Sequence, residues 1–140
     1  MKTRLLLLLN LLTFLSLAHA DTKAPDALNM PRPDRAEVMS VEPGATEGPK
    51  TDLSAAKARK VLKLLQGFHW IGPAGACDKL QYVIRFYAKD KLIATDGLCF
   101  HCGCFVALDA DGSAPITFDL ENANAKYLAK YLENFSPTAK

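Results

Sequence analysis

The chain has 140 residues, of which 17 are basic and 15 are acidic, so its formal net charge is only +2 at neutral pH. This near balance excludes the strong positive field of a protein that binds nucleic acid, and we expect no nucleic-acid partner. The main candidates for chemistry are the four cysteines, three of which lie in the run Cys-Phe-His-Cys-Gly-Cys at positions 99–104.

Residues 1–20 have the three parts of a secretory signal peptide. A basic start with Lys2 and Arg4 precedes an apolar run, and Ala18-His19-Ala20 places small residues at a cleavage site. The apolar run is shorter than the ~20 residues that a membrane-spanning helix needs. We expect cleavage after Ala20 and a neutral mature chain that is periplasmic or secreted, with no membrane attachment. The alternative is an uncleaved membrane anchor.

Residues 21–50 have the composition of a flexible, proline-rich leader. They hold five of the chain's eight prolines, charges of both signs and no aromatic residue. Such a segment buries too little apolar surface to offset the entropy of ordering. Residues 51–136 contain all the aromatic residues beyond the signal peptide, so we expect one small domain there, followed by a tail at residues 137–140.

The first element of this domain is predicted to be a helix. Thr51 or Asp52 can cap it, and Gly67 suits its end. Its buried stripe follows helical spacing and comprises Ala58, Val61, Leu62 and Leu65. Residues 68–73 then form an apolar, turn-rich link.

Alternation of apolar and polar residues predicts strands after this link. The clearest example is residues 81–89, in which Tyr82, Ile84 and Phe86 point to one side. A turn at Asp90 leads into a returning strand. The predicted strands are residues 81–89, 91–100, 105–108 and 116–118.

A second helix is predicted to end the domain. Asp119 can cap it, and Pro137 prevents its continuation. Its apolar stripe comprises Leu120, Ala123, Tyr127, Leu128, Tyr131, Leu132 and Phe135. The order of elements predicts an α+β fold, in which a small antiparallel sheet of about three to four strands is flanked by an N-terminal and a C-terminal helix and stapled by cysteines.

Four cysteines in an exported chain favour two disulfide bonds. The candidates are Cys77, Cys99, Cys102 and Cys104. A bond between Cys102 and Cys104 closes a very small ring, so two pairings stay open. They are Cys77–Cys102 with Cys99–Cys104, and Cys77–Cys104 with Cys99–Cys102. Either bond to Cys77 would stabilise the small domain by about 3 kcal/mol.

The same segment offers two other chemistries. Cys99 and Cys102 have the spacing of a thiol-redox pair, but the residues that follow predict a strand, whereas redox cysteines typically lie at a helix N-terminus. Soft-metal binding is the other possibility. Candidate ligands for zinc or copper are Cys99, His101, Cys102 and Cys104, with Cys77 or His69 as a further ligand.

The stretch from Cys77 to Cys102 resembles a set of small exported bacterial proteins. The shared pattern is a cysteine, an aromatic strand (here residues 84–87), a hairpin and Cys-Phe-x-Cys (residues 99–102). Many of those proteins carry a histidine near the start of the first strand, where this chain has Gln81 and Tyr82. The resemblance implies an exported hairpin domain and implies no activity.

No sequence motif supports an enzyme, since the chain lacks GxSxG, HExxH and a phosphate loop. We therefore expect an exported binding or inhibitory module with structural cysteines and no cofactor, whose partner is a protein or a small ligand. The alternative is a thiol-redox or soft-metal-binding protein that uses residues 99–104.

Overall fold

The computed structural model describes residues 23–42 and 48–135. Within them, seven strands form a single antiparallel sheet, accompanied by two helices and one short 3-10 turn. The predicted signal peptide (residues 1–20) and the tail (residues 137–140) lie outside the described residues. In the described part of the chain, no helix combines the length and the apolar character needed to cross a membrane.

The sheet is built from strands of three to nine residues. They are β1 (Arg35–Ser40), β2 (Lys50–Leu53), β3 (Trp70–Pro73), β4 (Tyr82–Ala88), β5 (Lys91–Cys99), β6 (Cys104–Ala107) and β7 (Ile116–Phe118). The helices are α1 (Ala55–Gln66) and α2 (Ala123–Glu133), and the 3-10 turn is Asp26–Leu28. The order across the sheet is β2-β1-β4-β5-β6-β7-β3, so β1 is an interior strand and β2 and β3 are the edges.

The predicted fold class, a small sheet of about three to four strands flanked by two helices, is wrong. The described chain is mostly sheet, with seven strands and only two helices. Local composition concealed three strands: β1 in the proline-rich leader, β2 at the expected helix caps, and β3 in the apolar link. The four strands β4 to β7 match the predicted ones.

The expectation of a flexible leader is wrong for residues 35–40, which form β1. This strand pairs with β2 on one side and β4 on the other. Ala36 and Val38 face the core and are buried, as is Leu28 of the 3-10 turn. Pro31 and Pro33 precede the strand, so its backbone N–H groups remain available for the ladder. The apolar alternation within residues 35–40 was therefore a strand signal.

Both helices pack against one face of the sheet and against each other. The predicted stripe of α1 is confirmed, since its buried residues are Ala58, Val61, Leu62 and Leu65. The cap of α2 is Asn122, whose side chain accepts hydrogen bonds from two backbone N–H groups, the closer being that of Asn124 at 3.0 Å. Asp119 instead closes the turn before the helix. Tyr127, predicted to be buried, is half exposed.

The core on the helix side of the sheet contains a carboxyl group. Asp96 lies on β5 between the buried residues Ala94 and Leu98, opposite Ile84 of β4. Its side chain is fully buried, and neither carboxylate oxygen has a hydrogen-bond partner within the described residues. Burial, with a smaller contribution from the charge of Asp109, raises the pKa of Asp96 to about 7. Below that pH the folded chain holds this group in its neutral form.

Replacing Val38 by Ala should lower the free energy of unfolding by about 2 kcal/mol, because truncation leaves a cavity beside an interior strand. Deleting residues 21–42 removes that strand and should unfold the chain. Arg32→Ala is the matched control at an exposed position of the same segment and should change stability by less than about 0.5 kcal/mol. Urea denaturation followed by circular dichroism measures all three. A Val38→Ala protein as stable as the wild type would contradict the interior position of β1.

The carboxyl group of Asp96 should make the folded chain more stable at acid pH. Its pKa is about 7 in the folded chain against a reference value of 3.8, so the folded state binds the extra proton between these values. The stabilisation by Asp96 is complete below pH 3.8 and is lost as the pH rises through about 7. It is on the order of 4 kcal/mol, at about 1.4 kcal/mol for each pKa unit.

Urea denaturation of Asp96→Asn between pH 4 and pH 7.5 tests this linkage. The variant should lack the decline in stability that Asp96 causes over this range, because the amide does not titrate. Ile84→Val, an apolar change opposite Asp96, should cost about 1 kcal/mol at every pH and keep the wild-type decline. Parallel stability profiles for the wild type and Asp96→Asn would refute the neutral buried carboxyl.

Candidate metal centre

The β5–β6 hairpin places two cysteines side by side. Cys99 ends β5, Cys104 begins β6, and the two residues pair across the strands on the face opposite the helices. Gly103 permits the tight return between them, because its φ is +62° and a Cβ atom there would lie 2.7 Å from the carbonyl oxygen of Phe118. The hairpin loop therefore lies directly against β7.

Phe100 anchors the same loop to the body of the sheet. Its backbone N–H donates to the side-chain oxygen of Gln81 at 2.6 Å, and its ring packs edge-on against Tyr82 and Phe118. Cys102, two residues further on, is exposed. The loop is thus held in place by Phe100, while the thiol of Cys102 is exposed to solvent.

Cys77 approaches the hairpin from the segment between β3 and β4. It forms a disulfide bond with Cys104, and the Cα atoms of the two residues are 6.5 Å apart. The segment packs on β5 at Gly97, where a Cβ atom would lie 2.7 Å from the side chain of Leu80. The absence of a side chain at Gly97 therefore lets the segment lie close to the sheet.

Three sulfur atoms cluster at this point, and a fourth lies beside one of them. Those of Cys77, Cys102 and Cys104 lie within 4.8 Å of one another. Cys99 adjoins them, because the backbone N–H of Cys102 donates to its sulfur at 3.4 Å and the two thiols are hydrogen-bonded. Cys99 is buried, whereas Cys102 is accessible.

The structure separates the predicted histidine ligands from the sulfur group. His101 is exposed on the loop and lies outside the three clustered ligand atoms. Cys99 also lies outside that group, but its sulfur is hydrogen-bonded to Cys102. The Nδ1 atom of His69, just before β3, lies 3.5 Å from a carboxylate oxygen of Asp119, just after β7. The ligand atoms gathered at the site are therefore those of cysteines.

The expectation of disulfide bonding is confirmed in part. Of the two pairings that the sequence left open, the bond between Cys77 and Cys104 is present. Its predicted companion, between Cys99 and Cys102, is not formed, and both of these residues are free thiols. One bond closes the long loop back to Cys77, and two thiols remain for other chemistry.

The acidity of Cys102 is unlike that of a redox nucleophile. Desolvation of its sulfur, followed by the hydrogen bond and the charge of Cys99, raises the pKa of Cys102 to about 11. Catalytic cysteines of disulfide oxidoreductases have a lowered pKa at a helix N-terminus, whereas here a strand follows the pair. The accessible thiol is therefore protonated at neutral pH and a weak nucleophile.

A groove of about 420 Å³ lies on the other face of the sheet, between the 3-10 turn and the β6–β7 loop. Its lining includes Ala27, Pro73, Phe105, Ala107 and Ile116. These small and apolar side chains can accept an apolar group, but they select no particular ligand chemistry. The cysteine cluster is the more specific site of the two.

No protein-family model matches the chain, and neither curated proteins nor solved structures give a match. The resemblance to small exported bacterial proteins therefore stays a prediction.

Native protein should contain two free thiols of very different reactivity. Cys102 is exposed and should react with iodoacetamide in the folded protein, slowly at neutral pH and faster as the pH approaches its pKa of about 11. Cys99 is buried and should react only on unfolding. Non-reducing peptide mapping should recover Cys77 linked to Cys104. Four unreactive cysteines, with a peptide that joins Cys99 to Cys102, would contradict the free pair.

Proposed function

We propose that the chain is an exported binding protein for a soft metal ion and that Cys99 and Cys102 hold one copper(I) ion. The proposal rests on the different states of the four cysteines. Cys77 and Cys104 are joined in a disulfide bond, whereas Cys99 and Cys102 are adjacent free thiols. Two neighbouring thiols form a natural ligand pair for a soft cation.

Copper(I) suits this pair better than zinc does. Two thiolates in a near-linear arrangement satisfy copper(I), whereas zinc sites in proteins usually have four ligands. In the disulfide-bonded chain, only Cys99 and Cys102 are available as thiolate ligands. A monovalent ion therefore matches the number of sulfur ligands.

Three features of the hairpin favour binding. The backbone N–H of Cys102 donates to the sulfur of Cys99 and so helps to orient that ligand. The packing of Phe100 against Tyr82 and Phe118 fixes the loop before an ion arrives. The exposure of Cys102 allows a second thiol-bearing molecule to reach the ion and accept it.

This role joins the two functions that the sequence predicts. The protein is a non-enzymatic binding module, Cys77 and Cys104 are its structural pair, and Cys99 and Cys102 are its ligands. The signal-like pattern of residues 1–20 supports export to the periplasm or the exterior. A stable disulfide bond is typical of such oxidising compartments.

Thiol–disulfide exchange is a second candidate, because the sulfur of Cys102 lies within 4.8 Å of both disulfide sulfurs. The Cys102 thiolate would attack the sulfur of Cys77 and form a new bond to it. The Cys77–Cys104 bond would break, and the Cys104 thiolate would leave with the electron pair and take up a proton. The count of disulfide bonds is unchanged, so the step needs no oxidant, but the raised pKa of Cys102 slows it at neutral pH.

The disulfide-bonded chain should bind one copper(I) ion. Anaerobic titration against a chromophoric copper(I) chelator measures the stoichiometry and the affinity. Cys99→Ser and Cys102→Ser should each weaken binding about 100-fold or more, because loss of even an outer partner of a ligand costs about 10–100-fold. His101→Ala is the matched control between the two ligands and should keep the wild-type affinity.

A further variant separates loss of a ligand from loss of the fold. The double variant Cys77→Ser/Cys104→Ser lacks the disulfide bond and should be about 3 kcal/mol less stable. It should still bind one copper(I) ion, since Cys99 and Cys102 are intact. Wild-type copper(I) affinity in folded Cys99→Ser and Cys102→Ser proteins would rule out the proposed ligands.

A further inference from the structure

The disulfide bond holds two potential ligands beside the proposed copper site. The sulfurs of Cys77 and Cys104 lie within 4.8 Å of that of Cys102. The sulfurs around a tetrahedral zinc ion are about 3.8 Å apart, because each Zn–S bond is about 2.3 Å long. The sulfur of Cys102 is therefore near this spacing from the other two, and opening the disulfide bond would let the sulfurs of Cys77 and Cys104 separate to reach it.

Cys99 is not one of the three clustered sulfurs, but its position beside Cys102 and Cys104 lets it complete a set of four. It is the cross-strand partner of Cys104, and its sulfur accepts the backbone N–H of Cys102. Residues paired in this way have Cβ atoms about 4.5–5.5 Å apart, which suits two ligands of one ion. Three ligands would thus come from one fixed hairpin.

The fourth ligand, Cys77, comes from a segment that can adjust. Cys77 is partly buried, its neighbours Ala76 and Asp78 are exposed, and the segment lies between strands. After the bond breaks, the sulfurs of Cys77 and Cys104 must move about 2 Å further apart, and the segment that carries Cys77 can supply this movement. The negative charge of Asp78 acts on Cys102 and would add to the attraction for a cation.

From this arrangement we propose that reduction of the Cys77–Cys104 bond converts the copper(I) pair into a four-sulfur zinc site. The inference rests on the proposed soft-metal function and deepens it. In the disulfide-bonded chain, Cys99 and Cys102 hold copper(I). In the reduced chain, the zinc ligands are Cys77, Cys99, Cys102 and Cys104.

The redox step balances with a dithiol as the reductant. The dithiol gives up two electrons and two protons and becomes a disulfide, while the Cys77–Cys104 bond breaks and two thiols form. Zinc then displaces the protons of the four thiols, and these protons pass to solvent. The state of a single bond thereby sets the number of sulfur ligands and the preferred metal.

Zinc loading of the full chain before and after reduction tests this inference. The chain is reduced anaerobically with a dithiol, desalted, incubated with zinc and desalted again. The reduced chain should retain one zinc ion with four sulfur neighbours by X-ray absorption, and cobalt(II) in its place should give the intense bands of a tetrahedral thiolate site. The disulfide-bonded chain should bind zinc about 100-fold or more weakly, because it lacks two of the ligands.

Variants of the reduced chain identify the added ligands. Cys77→Ser should weaken zinc binding about 100-fold or more, whereas the nearby exposed control Lys79→Ala should not change it. Circular dichroism establishes that both variants are folded. Equal zinc affinity in the two redox states, or in wild type and Cys77→Ser, would overturn the four-sulfur site.

A copper(I) titration of the disulfide-bonded chain, run in parallel, separates the two proposals. Copper(I) binding through Cys99 and Cys102 without zinc binding after reduction would overturn only the four-sulfur site. Failure to bind either ion would overturn both proposals.

Discussion

The pairing of Cys99 with Cys104 across β5 and β6 is the constraint on which the candidate site depends. It places one cysteine at each end of a short loop. Cys102, which belongs to that loop, therefore lies close to both cysteines. Gly103 makes this return possible, because its backbone conformation and its contact with β7 leave no room for a side chain. The position of the disulfide bond and the adjacency of the two free thiols follow from this hairpin.

The two faces of the sheet have different roles: one packs against the helices, and the other carries the cysteines. The helices and the core lie on one face, where alternate residues of β5 include the buried Asp96. The cysteines lie on the other face, covered by the segment that carries Cys77. The interior position of β1 supports this division, because it widens the sheet beneath the helices and makes the N-terminal segment part of the fold.

Local patterns predicted the parts of the structure that depend on near neighbours. The strands β4 to β7 and the stripe of α1 follow from periodicity, whereas β1 depends on pairing with distant strands and was concealed by surrounding prolines. Asp96 lies on the core side of β5, but its burial was not predicted, because an aspartate in a strand is usually exposed. The choice of Cys104 over Cys102 as the partner of Cys77 depends on hairpin register, which composition does not determine.

The number of sulfur ligands around bound copper(I) distinguishes the proposed pair of cysteines from a site that includes histidine. X-ray absorption at the copper edge, on the disulfide-bonded chain loaded with one equivalent of copper(I), reports the number and type of ligands. We expect two sulfur neighbours and no nitrogen, because Cys99 and Cys102 are the two free thiols and their sulfur groups are hydrogen-bonded to each other. A nitrogen ligand, or a wild-type spectrum from the Cys99→Ser protein, would contradict this expectation.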